Sequence, residues 1–341
     1  MLAEAKLEAI HFGVRLAAEQ VLGHLKPVKL DYREDANLEN AWEASRNQGN
    51  HTESASRYYS VYTTSTDTLI RSQALIGLTR GLIDLGSFGQ ARQFLSQASA
   101  LCNDFSVETR RRLFIAHIEG QKGWIADYEL GYHAEIKHFG NALNGLNVVQ
   151  RLEWGIPEEE LNSTAYHCIG RARVGLADAG VDREENIRLA MEDITMARRL
   201  DEKLPMPTIN EKVGHGFAWE ARCCLRLGEF ARADELTEKA ELNFRKHHSL
   251  FPDSPIMAHY YLLLGERDFK HGFTLEARRD FEEAARIRTG KSAIYPKGVS
   301  DAYKGIAATY WKEGDIKNAA RFLIKAAKIN PQSVARGMLG G

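Results

Sequence analysis

Residues 301–331 read DAYKGIAATYWKEGDIKNAARFLIKAAKINP and display the organisation of the chain. Tyr303 and Tyr310 are two helical turns apart, with further apolar residues between them on the same face. Gly314 supplies a turn, since glycine readily adopts the backbone conformation that follows a helix end. A second apolar face follows until Pro331, which cannot continue a helix. The stretch therefore predicts a helical hairpin.

The same alternation of bulky and small residues recurs upstream of this hairpin. The two units before it turn at Gly272 and Gly228, and an earlier one turns at Gly86. Weaker units run from about Val107 to Gln150, with a turn near Gly131, and from Tyr166 to Ala197, with an insertion around residues 178–186. The weakest unit spans Leu38 to Thr63 and turns at Gly49. Because one hairpin cannot bury its own apolar face, such units must stack on one another.

The spacing of aromatic, small and turn residues resembles the tetratricopeptide (TPR) repeat. From Gly228 to Gly272 is 44 residues and from Gly272 to Gly314 is 42, against 34 for a minimal TPR. Each hairpin therefore has longer helices or loops, similar to the extended repeats of kinesin light chains and of bacterial peptide-sensing regulators. The resemblance implies an all-α, right-handed α-solenoid of six or seven hairpins over residues 36–331.

The two ends of the sequence differ from the repeats. Residues 1–25 contain a heptad stripe from Ala3 to Val21, which predicts a separate helix. This helix would either cap the first repeat or serve as a docking or oligomerisation helix. Residues 332–341 are interpreted as a C-terminal tail.

Composition excludes several classes of partner. The chain has 45 Lys+Arg against 46 Asp+Glu, so its net charge of −1 gives no general attraction to nucleic acid or anionic membrane. No apolar run has the length of a membrane span. The four cysteines form no CxxC pair, which favours buried thiols in a reducing, cytoplasmic setting.

Sequence signatures of catalysis are missing from the chain. It contains no GxxxxGK[ST] phosphate loop, no GxSxG elbow and no HExxH zinc motif. The sequence therefore predicts no enzyme, no cofactor and no metal site.

One set of polar residues recurs in the repeat frame. In TPR-like superhelices the first helix of each hairpin lines the concave groove, where ligands usually lie. Arginine and histidine occupy frame-related positions there, while Glu266 and Ala308 stand at the arginine position of the last two units. The predicted partner-binding residues are Arg80, His167, Arg171, His215, Arg222, Arg226, His259 and Lys304.

This set would form a mostly basic stripe suited to an acidic peptide, because guanidinium groups bind carboxylates in a bidentate manner. The alternative interpretation is solvated charges or salt bridges between repeats. The first functional hypothesis is a non-enzymatic adaptor or scaffold that binds another protein or an acidic peptide in the groove. The second is a peptide-responsive regulator whose ligand-bound superhelix controls a separate effector, and the third is an enzyme or enzyme subunit.

Overall fold

The computed structural model describes most of the repeat region. The described residues are 50–106, 108–129, 131–150, 158–203, 208–250, 257–289 and 296–329, together with Leu38, Asn40, Ala41 and Ala44. They form thirteen α-helices and one short 3-10 helix, with no β-strand among them, which confirms the all-helical prediction. The predicted N-terminal helix at residues 1–25 and the tail at 332–341 lie outside the described residues.

The helices follow one another with short connections. Their bounds are α1 His51–Thr64, α2 Thr68–Asp84, α3 Phe88–Leu101, α4 Glu108–Tyr128, α5 Tyr132–Gln150, α6 Glu158–Asp178, α7 Arg183–Asp201, α8 Thr208–Leu227, α9 Phe230–Leu250, α10 Met257–His271, α11 Thr274–Thr289, α12 Pro296–Lys312 and α13 Ile316–Ile329. Six hairpins result: α2/α3, α4/α5, α6/α7, α8/α9, α10/α11 and α12/α13. Helix α1 precedes them. Leu38, Asn40, Ala41 and Ala44 are helical, and the turn at Gly49 predicted for the weak unit lies outside the described residues.

Five of the six hairpin turns share one backbone hydrogen-bond pattern. A glycine with φ between +77° and +90° follows the first helix, and the next residue donates its N–H to a carbonyl five residues earlier at 2.8–3.0 Å. This geometry satisfies carbonyl groups that a helix end leaves without partners, and it needs a left-handed residue that glycine supplies without strain. The glycines are Gly86, Gly180, Gly228, Gly272 and Gly314.

The insertion predicted around residues 178–186 is wrong. Helix α6 ends at Asp178 and α7 begins at Arg183, so only four residues connect them. Gly180 makes the usual turn, and Asp182 is also left-handed, with φ of 38°. The apparent insertion is thus an ordinary hairpin turn that is one or two residues longer than the others.

Aromatic rings on second helices pack onto glycines of first helices. A Cβ added at Gly265 would lie 2.6 Å from Phe281 of the same hairpin, and one at Gly305 of the next hairpin would meet the same ring at 2.6 Å. Tyr58 covers Gly77 in a similar way, at 2.4 Å. Glycine is required at these contacts because any side chain would collide with the ring, and the contacts hold consecutive hairpins together.

Most first helices of neighbouring hairpins contact each other directly. Helix α2 contacts α4, α8 contacts both α6 and α10, and α10 contacts α12. In a curved stack, the layer in which like helices lie closest together is on the inside of the curve. We call the exposed face of this layer the inner wall.

Candidate functional site

Five side chains stack alternately along the inner wall, and we call them the tryptophan–arginine row. They are Arg80 on α2, Trp124 on α4, Arg171 on α6, and Trp219 and Arg222 on α8. Arg80 lies 4.1 Å from the ring centroid of Trp124, and Arg222 lies 4.1 Å from that of Trp219. Arg171 lies between the two indoles, at 5.4 Å and 5.3 Å. Cation–π attraction of about 0.5–2 kcal/mol per contact therefore connects four successive first helices.

Arg171 and Arg222 of this row also form ion pairs between hairpins. Arg171 Nη2 lies 3.0 Å from Asp127 Oδ2 on α4, and the two side chains are only 7% and 2% exposed. Arg222 Nε donates to Glu266 Oε2 on α10 at 2.8 Å, and its Nη2 contacts the other carboxylate oxygen. The first pair is shielded from water, whereas the second stays partly accessible.

Arg226 and Arg80 are paired as well. Arg226 on α8 binds Asp178 at the end of α6 through two hydrogen bonds of 2.7 Å each. Arg80 Nε donates to Asp84 Oδ2 one turn later on α2 at 3.0 Å, and Asp84 also accepts a 2.9 Å hydrogen bond from the Tyr128 hydroxyl. The inner wall therefore carries alternating charges, which corrects the expectation of a mostly basic stripe.

The three predicted histidines come together in one stack. The ring centroids of His167 and His215 are 4.6 Å apart with an interplanar angle of 28°, and those of His215 and His259 are 4.8 Å apart. Trp219 packs edge-on against His167 at 6.1 Å. The stack thus crosses α6, α8 and α10, and it lies beside the tryptophan–arginine row.

Burial and nearby cations favour the neutral form of these three imidazoles. Burial is the main cause that lowers the pKa of each ring well below 6.5, and nearby cations lower it further. Those cations include Arg171 and Lys212 for the pKa of His167, and Arg288 for the pKa of His259. Histidine usually gains charge near pH 6, but this lowered pKa favours the neutral form of all three rings in the ligand-free protein.

Lys304 stands apart from the other predicted residues. It lies on α12, where its Nζ is 2.8 Å from Asp301 Oδ1 one turn earlier. All eight predicted residues are on first helices, as the repeat frame requires. The contacts above connect six of them to the tryptophan–arginine row or to the histidines, and Arg226 joins them because its Nη1 donates to the carbonyl oxygen of Arg222 at 3.1 Å. A role for the eight in partner binding stays a prediction.

Several residues of the site did not emerge from the sequence. Trp124 and Trp219 complete the row, and Asp127 and Asp178 neutralise arginines. Trp219 is one turn from both His215 and Arg222, a spacing that placed it on the same helical face. Asp127 is 44 residues before Arg171, one repeat length, and this distance was the available signal for the ion pair.

The described residues give no sign of a metal site or a membrane span. No group of three or more His, Cys, Asp or Glu side chains is arranged to hold a metal ion within the described ranges. The histidines stack with parallel or tilted rings instead of directing their nitrogens to one point. Among the described helices, none is both long enough and apolar enough to cross a bilayer. All four cysteines are buried free thiols, as predicted.

Comparisons with known proteins identify the fold. No protein-family profile and no curated protein matches the sequence. Among solved structures, a Rap protein complexed with Competence and Sporulation Factor is similar with a TM-score of 0.59 at 12% identity, covering 97% of this chain and 96% of that chain. NprR in complex with its cognate peptide NprX is similar with a TM-score of 0.52 at 13% identity, covering 91% and 82%. The chain has a TPR-like repeat fold.

Proposed function

We propose that this chain is a non-enzymatic, cytoplasmic scaffold that binds an acidic peptide, or an acidic segment of a partner protein, along its inner wall. The observation that carries the proposal is the tryptophan–arginine row, which places guanidinium and indole groups side by side across four first helices. Guanidinium groups bind carboxylates, and indole rings contact apolar or aromatic side chains. The structural likeness to NprR with its cognate peptide supports a peptide as the ligand class.

The spacing of the first helices suits an extended chain. Packed helices lie about 8–10 Å apart, and an extended peptide advances about 3.3 Å per residue. Every third residue of a bound peptide would therefore meet a new helix of the inner wall. A ligand of about nine residues would reach from α4 to α10, which covers the row and the histidines.

Peptide selection with a charge-swap variant tests the proposal. Arg222→Glu combined with Glu266→Arg reverses the two charges and keeps an ion pair between α8 and α10, so the fold should persist. Wild-type protein should enrich Asp- and Glu-containing peptides from a random displayed library, and their affinity should fall as salt screens the attraction. The swapped variant should bind the same peptides at least tenfold more weakly. Arg188→Glu, on α7 and 55% exposed, is the control that should change nothing.

Two outcomes would contradict the scaffold proposal. If the wild-type protein enriches only neutral or basic peptides, the proposal of an acidic ligand is wrong. If the swapped variant selects the same peptides with the same affinity, the binding site does not include Arg222. The site would then be sought on the outer helices or on the N-terminal helix.

A peptide-responsive regulator is the second candidate, and the ion pairs between hairpins favour it. Arg171 and Arg222 already hold carboxylates of neighbouring hairpins. A ligand carboxylate that takes over either arginine loosens that pair, so the hairpin spacing would change with binding. X-ray scattering with and without a selected peptide should then show a changed radius of gyration. Identical curves would contradict the regulator and leave the scaffold as the proposed function.

The N-terminal helix predicted at residues 1–25 is proposed to cap the first repeat or to join two chains. Its removal should either destabilise a monomer or dissociate a dimer, and light scattering combined with thermal unfolding separates the two. A truncated chain that behaves as the full chain in both measurements would contradict both roles.

A further inference from the structure

The histidines and the cations around them form a distinct part of the inner wall, which we call the histidine recess. It consists of His167, His215 and His259 with Arg171, Lys212, Arg222 and Arg288. We propose that this recess binds a carboxylate group of the ligand and that one of its imidazoles takes up a proton from solvent when the carboxylate enters. The inference rests on the proposed function and states where the anionic group of the acidic ligand lies.

The recess presents polar groups in an enclosed place. Arg171 and Lys212 are each 8% exposed, and His167, His215 and His259 are half-buried as whole residues. The Nε2 atoms of His167 and His215 are buried and have no hydrogen-bond partner within the described part of the chain. A neutral imidazole offers one N–H donor and one acceptor nitrogen, so each of these rings can still bind a polar ligand atom.

The charged side chains with the largest effect on the pKa of the imidazoles come from three helices and are positive. Arg171 on α6 and Lys212 and Arg222 on α8 flank the stack, and Arg288 on α11 acts on His259. Among the described residues, no carboxylate is prominent in shifting the pKa of any of the three rings. His51 differs, because burial lowers its pKa while the nearby carboxylate of Asp84 opposes that shift.

The carboxylates that neutralise these cations approach from other helices. Asp127 reaches Arg171 from α4, and Glu266 reaches Arg222 from α10. Asp201 on α7 lies 4.0 Å from Lys212. Arg171, Lys212 and Arg222 nevertheless lower the pKa of the histidines, so these cations act on the rings more strongly than their carboxylate partners do.

A bound carboxylate changes the protonation balance of the stack. In the free protein, burial and the four cations keep all three rings neutral. An anion within about 4–6 Å favours the charged form of an imidazole. One ring therefore gains a proton from solvent and forms a charge-assisted hydrogen bond with the carboxylate. Uptake should stop near one proton, because a second imidazolium in contact with the first would be repelled by it.

The experiment measures protonation and binding together. Proton–carbon NMR of the imidazole groups, assigned with His→Gln variants, is followed while inorganic phosphate or a selected acidic peptide is added. Phosphate probes the recess without a peptide, and a peptide with an amidated C-terminus distinguishes a terminal carboxylate from side-chain carboxylates. We expect the recess histidines to shift towards the protonated form near pH 6. His138, which pairs with Glu119 outside the recess, is the internal control that should stay unchanged.

Calorimetry gives the second readout. Binding enthalpies in two buffers of different ionisation enthalpy should differ by the amount expected for uptake of about one proton near pH 6. Peptide affinity should rise by up to about tenfold per pH unit as pH falls in this range, which is the limit for one linked proton. The His215→Gln variant should bind with a weaker dependence on pH.

The outcomes separate the two proposals. Peptide binding that depends on Arg222 but involves no proton uptake and no shift of the recess histidines overturns this inference and leaves the proposed function intact. Phosphate that shifts the recess histidines while no acidic peptide binds supports the recess and overturns the proposed function. If the recess histidines respond to neither probe, the proposal that the recess binds a carboxylate is wrong. Equal shifts at His138 would show an adventitious ion only and would also contradict the proposal.

Discussion

The C-terminal hairpins and the central hairpins are joined by different contacts. Phe281 joins α10/α11 to α12/α13 by resting on Gly265 and Gly305, an apolar contact with no polar atom. The ion pair of Arg171 with Asp127, by contrast, ties α6/α7 to α4/α5, and the indole of Trp219 continues the row to α8. Aromatic packing on glycine is common to both regions, since Tyr132 of α5 rests on Gly175 of α6, and the central contact adds an ion pair that is almost fully buried.

The inner wall also differs among the well-matched repeats. At the position where α8 has Arg222, α12 has Ala308, which can only pack. The residues of the candidate site therefore occur in both kinds of repeat, on α8 as well as on α4 and α6.

The largest expected effect is on the central contact. Asp127→Ala leaves the buried guanidinium of Arg171 without its carboxylate, which should lower the free energy of unfolding by about 3–5 kcal/mol. The matched change in the C-terminal region is Glu313→Ala, which removes the partner of Arg278 between α11 and α12. Because that pair is more exposed, we expect a loss of at most about 1 kcal/mol. Equal losses in urea unfolding would erase the distinction between the two regions.

An intermediate effect is expected at the glycine contact. Gly265→Trp or Ala307→Trp forces a ring into a filled space and should cost at least about 1–3 kcal/mol. Gly140, on α5, has open space at its Cβ position, so Gly140→Ala should stabilise the chain by up to about 1 kcal/mol. Thermal unfolding checks all three variants, and unchanged melting temperatures for both tryptophan variants would contradict the assigned helix contacts.

A further effect is a pH dependence of stability, to which the three stacked histidines of the central hairpins contribute. The unfolded chain protonates its histidines near 6.5, whereas the folded-state pKa of His167, His215 and His259 is well below that value. The unfolded state therefore binds more protons, and the free energy of unfolding should fall as pH drops below about 6.5. His215→Gln should reduce this slope, while His138→Gln should leave it in place. Denaturant unfolding at several pH values provides the measurement.

The fold could be predicted from the sequence because the repeat frame depends on local features. Turn glycines and small residues at helix contacts recur with the period of the hairpin, so Gly228, Gly272 and Gly314 were located correctly. The Gly180 turn was missed because two left-handed residues, Gly180 and Asp182, lengthen the connection and shift the frame of the second helix. A single extra residue in a turn is enough to imitate an insertion.

The site could be predicted only in part, because a repeat frame gives positions and not partners. It placed His167, His215 and His259 on first helices, where they stack. It also aligned Arg222 with Glu266 but treated the two as alternatives at one position, although residues one repeat apart face each other across neighbouring helices. The low pKa of the histidines depends on burial by several hairpins at once, which no local pattern contains.

The position of Phe281 has a consequence for synthesis on the ribosome. Its ring rests on Gly265, which is translated earlier, and on Gly305, which is translated 24 residues later. Tyr58 likewise precedes its glycine, Gly77, by 19 residues. A growing chain would therefore hold an uncovered aromatic ring at its newest hairpin until the next first helix leaves the exit tunnel. Folding would advance as a front from the N-terminus, and a pause in translation between these residues would expose the chain to chaperones at a defined point.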